Sequence, residues 1–121
     1  MPAILGHESN VCFLNLAGNG FADGSRVSGF DFPDDSRALA AVDWDHDGDL
    51  DLWMTNRNAP MVRYLENTHP GRSLTVALQG SQSNRDAIGA RATLSLQSGR
   101  IMVRSVRGGE GYLSQSGKNL H

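Results

Sequence analysis

Apolar positions in this chain fall into short runs with a period of two, broken by glycine, proline and asparagine. Such alternation predicts half-buried strands. Residues 50–56 (LDLWMTN) are the cleanest case: Leu50, Leu52 and Met54 face one way, Asp51, Trp53 and Thr55 the other. Residues 37–44 (RALAAVDW) put Ala38, Ala40 and Val42 on one face and Leu39 and Ala41 on the opposite one. Small side chains on both faces suit a crowded inner strand, although alanine also favours helix. Residues 10–16 (NVCFLNL) are apolar on both faces, which predicts a strand buried on both. Residues 21–23, 61–66, 73–78, 90–97 and 100–106 complete the set of strand-like runs.

The breaks between these runs carry turn chemistry. AGNG at 17–20, NRNAP at 56–60 and NTHPG at 67–71 are turn signals. Ser98-Gly99 between two alternating runs predicts a short hairpin. The glycines at 108, 109 and 111 read as a turn that needs positive φ. No run sustains the i, i+3, i+4, i+7 spacing of an amphipathic helix, so the expected class is all-β.

With 121 residues the chain fits one ordinary domain or two small ones. No apolar run approaches the roughly 20 residues that cross a bilayer. The start, MPAILGHESN, lacks the basic and apolar regions of a signal peptide. Cys12 is the single cysteine, which excludes an internal disulfide. The net charge of −2 hides an asymmetry: residues 1–60 hold nine Asp and one Glu against three Arg, residues 61–121 seven Arg and one Lys against one Asp and two Glu. That switch of sign, with the Pro-Gly at 70–71, places a boundary after residue 67, giving domains 1–67 and 68–121. The arginines stand singly along strand-like runs, which points to a solvated strand face and not to a nucleic-acid surface.

Much of the acidic excess sits in one place. Residues 43–51 read DWDHDGDLD, five carboxylates in nine residues. Counted from Asp43, aspartates occupy positions 1, 3, 5, 7 and 9, and Gly48 is at 6. Ca²⁺ takes 6–8 oxygens at about 2.3–2.6 Å, and alternate aspartates on a curling loop can converge on one ion. The glycine permits the bend where a side chain would clash. Asp43, Asp45, Asp47 and Asp51 are therefore the expected side-chain ligands, and Asp49 the backbone carbonyl ligand. The alternative is a solvated acidic hairpin tip. Mg²⁺ suits the site less well because it demands stricter octahedral geometry. Position 12, where an EF-hand needs a bidentate Glu, is Met54, and no flanking helices are evident. His46 is expected to point to solvent, and Trp44 to pack on a neighbouring strand.

The stretch from Asn15 to Asn56, with FLN before it, NGFAD, SGF and ALAAVDWDHDGDLDLWMTN, resembles an FG-GAP (VCBS-type) repeat. The resemblance implies a β-propeller blade with calcium bound in its DxDxDGxxD loop. FADG stands where FADV is commoner. The second half, with SNRDAIGAR at 83–91 and GYLSQS at 111–116, resembles the ASPIC/UnbV domain. That domain commonly follows FG-GAP repeats in secreted proteins, which implies an extracellular or periplasmic home. A single blade cannot bury both faces. The chain is therefore expected to be a piece of a longer protein, or to pack its blade on its own second half, on missing blades or on a second copy.

Catalytic signatures are weak. Ser114, Ser116 and His121 lack a G-x-S-x-G elbow. GGEG has no Lys-Ser/Thr after it and opens no helix. His7 and His69 read as surface histidines. Arg85 and Asp86 read as a turn or a ligand contact, and Tyr112 as a core residue or one that faces a pocket. The expected fold is thus a blade-like unit followed by a small antiparallel sandwich or barrel-like unit. The expected function is non-enzymatic: a calcium-binding β module for adhesion, with a protein or glycan partner. The rivals are a fragment of a polysaccharide-acting enzyme with structural calcium, and a truncated product with no function of its own.

Overall fold

A computed structural model of the chain describes residues 8–69 and 71–121. The first seven residues, with His7 and the MPAILG start, and Pro70 of the Pro-Gly break lie outside the described residues. Within those described, every regular element is a strand: β1 (Phe13–Asn15), β2 (Phe21–Asp23), β3 (Ser36–Val42), β4 (Asp51–Asn56), β5 (Val62–Leu65), β6 (Arg91–Ser95) and β7 (Ile101–Ser105). The fold is all-β. No helix among them is long and apolar enough to cross a membrane.

The strands form small sheets: β1 with β2, β3-β4-β5 in that order, and β6 with β7. β1 and β2 are antiparallel with Leu14 opposite Ala22, and β6 and β7 are antiparallel with Thr93 opposite Val103. The turns follow the local chemistry. Asn15 accepts the Gly18 N–H at 3.1 Å in the first hairpin, where Gly18 and Gly20 both have positive φ. In the β6–β7 hairpin Leu96 accepts from Gly99, whose φ is +82°, at the hairpin's Ser98-Gly99 tip.

The chain divides into two compact units, one of Met1–Arg37 with Met54–Arg63, the other of Ala38–Trp53 with Tyr64–His121. In the first, Met54 is buried, and its sulfur meets the Asn10 amide at 3.5 Å and the Ser36 hydroxyl at 3.3 Å. Asp34 accepts from the Arg63 guanidinium and, at 3.0 Å, from the Asn56 amide, while Arg63 lies 4.1 Å over the Phe32 ring. Asp35 pairs with Arg37 at 2.7 Å and lies 3.9 Å from Arg57. In the second unit Ala87, Val106 and Leu120 are the buried apolar residues. Asn84 pins the loop before β6: its carbonyl accepts the Ile88 N–H at 2.6 Å and its amide donates to the Ile88 carbonyl at 3.0 Å.

Four strand expectations change. The run 10–16 yields only a three-residue strand, and Val11, Phe13, Leu14 and Leu16 are exposed instead of buried on two faces. A two-stranded hairpin offers no second layer to cover them. The run 73–78 contributes a single bridge, Val76 to Leu120, because its partner is the short polar segment at the chain's end. β3 keeps Ala38, Ala40 and Val42 as its less exposed face, but β4, not β3, is the inner strand of the sheet. Gly117 N–H donates to Ala41 C=O at 2.8 Å and Ser116 Oγ accepts from Ala41 N–H at 3.2 Å, so the polar tail hydrogen-bonds to β3. Along β4 the alternation also fails at its start: Asp51 is buried and Leu50 is exposed. Tyr112 is exposed and is not a core residue.

Candidate metal centre

Residues 43–50 join β3 to β4, and their backbone is curled by two left-handed positions, His46 at φ +64° and Gly48 at φ +98°. Gly48 is needed twice over. Its φ disfavours any side chain, and a Cβ there would stand 2.1 Å from Ser73 Oγ. His46 is exposed, as its place between ligand positions predicts.

The curl brings Asp43, Asp45 and Asp47 together. Each offers a carboxylate oxygen, and the three oxygens lie within 4.8 Å of one another. One ion with Ca–O distances of about 2.4 Å spans such a separation. Asp45 accepts the Asp47 N–H at 3.2 Å, and Asp47 accepts the Asp49 N–H at 3.0 Å. Each of these two carboxylates thus holds the backbone two residues on, which fixes the direction of the loop. Two carboxylate oxygens, Asp43 Oδ1 and Asp49 Oδ1, are buried with no hydrogen-bond partner. Such an atom costs free energy unless a partner is supplied. Hard anionic oxygens around a turn, with two of them unsatisfied, suit a hard divalent cation.

Asp49 and Asp51 stand apart from that group of three. Burial pushes the Asp49 carboxyl above its ordinary value, and the charges of Asp47, Asp51, Asp45 and Asp43 push it further up. Asp51 is 1% exposed. Its Oδ2 accepts the Trp44 N–H at 3.0 Å and its Oδ1 accepts the Asn67 N–H at 2.9 Å. The Tyr64 hydroxyl and the Asp45 N–H also hydrogen-bond to this carboxylate. Burial raises its pKa, but these hydrogen bonds together outweigh burial and hold it below the ordinary value. Burial also pushes the Tyr64 phenol up to about 12, helped by its bond to Asp51.

An aromatic row lies beside the loop. Trp44 meets Trp53 edge-on with centroids 5.1 Å apart, and Trp53 meets Tyr64 at 4.9 Å. Trp44 therefore packs on a neighbouring strand as expected, while remaining largely exposed. Trp53 Nε1 is buried without a partner.

Three residues at this centre escaped sequence reasoning. Tyr64 looked like an ordinary strand residue, Asn67 part of a linker and Ser73 the start of a strand. Each reaches the loop from more than ten residues away, and no local spacing encodes such an approach. Elsewhere, Asp86 forms an ion pair with Lys118, so this acid of the NRD turn has a structural partner. Gly109 and Gly111 have positive φ, as the turn reading of GGEG requires. Arg91, Arg100 and Arg104 are exposed along or beside β6 and β7.

No curated protein and no solved structure gives a significant match to this chain. Residues 80–121 match the family described as ASPIC and UnbV, and they include β6, β7, the SNRDAIGAR stretch and GYLSQS.

Proposed function

We propose that this chain is a non-enzymatic, calcium-binding β module that serves adhesion, or recognition of a protein or glycan, outside the cytoplasm. The observation that carries the reading is the convergence of Asp43, Asp45 and Asp47 on one turn, with ligand oxygens within 4.8 Å. Asp49 and Asp51 are the remaining acidic positions of the loop. The ion would cancel part of the charge that this loop gathers, and would tie the end of β3 to the start of β4. The loop spacing and the strands around it support an FG-GAP-like repeat over residues 1–67, and the family match supports an ASPIC/UnbV-like domain over 68–121.

Two observations favour a binding module over an enzyme. Outside the loop, Asp86 is paired with Lys118 and Glu110 with Arg107, so neither is a free member of an acid/base pair. Val11, Phe13, Leu14 and Phe21 are exposed in and beside the β1–β2 hairpin, an apolar area suited to a further blade, a second copy or a partner protein. The extracytoplasmic location rests on the company that the ASPIC/UnbV domain keeps. The test is the melting temperature with excess Ca²⁺ and with chelator, for the wild type and for Asp45→Ala. A calcium-dependent rise is expected in the wild type and is lost in the variant. A wild type without that rise overturns the reading.

A further inference from the structure

Loop spacing alone gives Asp51 the role of a ligand, but its surroundings describe a different one. A carboxylate has about four lone-pair sites on its two oxygens. At Asp51 four donors converge on them: the Trp44 and Asn67 amides at 3.0 and 2.9 Å, the Tyr64 hydroxyl and the Asp45 amide. The side chain is 1% exposed. By contrast, the unsatisfied carboxylate oxygens of the loop belong to Asp43 and Asp49.

We propose that Asp51 is a positioning residue and not an ion ligand: its carboxylate straps the two ends of the acidic loop to the chain at Asn67 and Tyr64, and holds the ligand turn closed before any ion arrives. The donors come from three separate segments. Trp44 and Asp45 lie at the loop's entry, Tyr64 on β5 and Asn67 just beyond it. Only a buried anion at the exit of the loop can accept from all of them at once. This assignment rests on the calcium reading for its consequence, and on hydrogen bonding alone for its geometry. Pre-organisation of this kind is how groups behind the ligands usually act on a metal site, and their loss commonly weakens metal binding about 10–100-fold.

The experiment compares Asp51→Asn with Asp45→Asn in the full chain, using Ca²⁺ titrated calorimetrically and melting curves in chelator. Asp51→Asn is expected to lower the melting temperature in chelator and to keep calcium binding, weakened on the order of tenfold. Asp45→Asn is expected to leave the chelated melting temperature at or above that of the wild type and to abolish calcium binding. A chelated Asp51→Asn that melts like the wild type while binding no calcium makes Asp51 a ligand and overturns the proposal. Amide hydrogen exchange on the calcium-free wild type gives a second measurement that requires no variant to fold. Slow exchange at Trp44 and Asn67 is expected, and fast exchange at both overturns the strap. If the wild type itself binds no calcium, the calcium reading fails, while the chelated melting curves and the exchange rates still decide the role of Asp51.

Discussion

The molecule holds two concentrations of carboxylate, and they are built on opposite terms. At Asp34 and Asp35 each acid has an arginine: Arg63 for one, Arg37 and the more distant Arg57 for the other. The hydrogen bond from Arg63, against the opposing effect of burial, holds Asp34 below the ordinary carboxylate range. At residues 43–51 the acids have each other, some backbone amides, and no ion pair among the described residues. Burial and four neighbouring carboxylates drive Asp49 the opposite way. An acid cluster supplied with arginines is complete as it stands. One assembled without them has room for a cation from solution.

The largest test of this contrast is removal of calcium. A ligand present at a thousand times its Kd stabilises the folded state by about 4 kcal/mol. Chelation is therefore expected to lower the melting temperature by many degrees in the wild type and by nothing in Asp45→Ala. Arg63→Met probes the other cluster: it leaves Asp34 and the Asn56 amide without the cation that organises them. Its melting temperature should fall equally with and without calcium, measured by calorimetry. A fall confined to one condition would couple two clusters that the contrast treats as separate. Gly48→Ala comes next, at about 1–2 kcal/mol from the left-handed backbone alone, with the close approach of Ser73 adding to it. It should also weaken calcium binding.

The pH dependence follows with a definite sign. A carboxyl lowered on folding contributes stability that is fully present above its unfolded value, about pH 4, and lost as pH falls through the lowered folded value. For Asp34 that loss belongs to acid conditions below about pH 4, and Arg63→Met should flatten it in an acid titration of stability. The smallest effect is expected from Asp49→Asn in chelator, and it has the opposite sign. Removing a charge that its neighbours disfavour should raise the calcium-free melting temperature slightly.

The parts of this architecture readable in advance are those whose signals are local. Period-two alternation marked β2, β4, β6 and β7 to within a residue or two, and Ser98-Gly99 marked the hairpin, since both depend only on adjacent residues. Gly48 was legible for the same reason: a tight curl with aspartates on either side needs positive φ, and it has it. The grouping of Asp43, Asp45 and Asp47 follows from their spacing on that curl. The exposed run 10–16 was misread because apolar residues on both faces say that a strand can be buried, not that a layer exists to bury it. The inner place of β4 was hidden because strand order is set by long-range pairing. Asp51 is the sharpest case. Its position in the motif is visible in nine residues, but the amides that surround it come in part from Asn67 and the hydroxyl from Tyr64.

The aromatic row beside the loop has an optical consequence. Trp44 and Trp53 are the only tryptophans in the chain. With 5.1 Å between their rings, and Tyr64 a further 4.9 Å from Trp53, every indole chromophore of the protein sits at the acidic turn. Its near-ultraviolet emission is therefore a local signal, not an average over the fold. Any event at residues 43–51 that shifts either ring can be followed by fluorescence without adding a label.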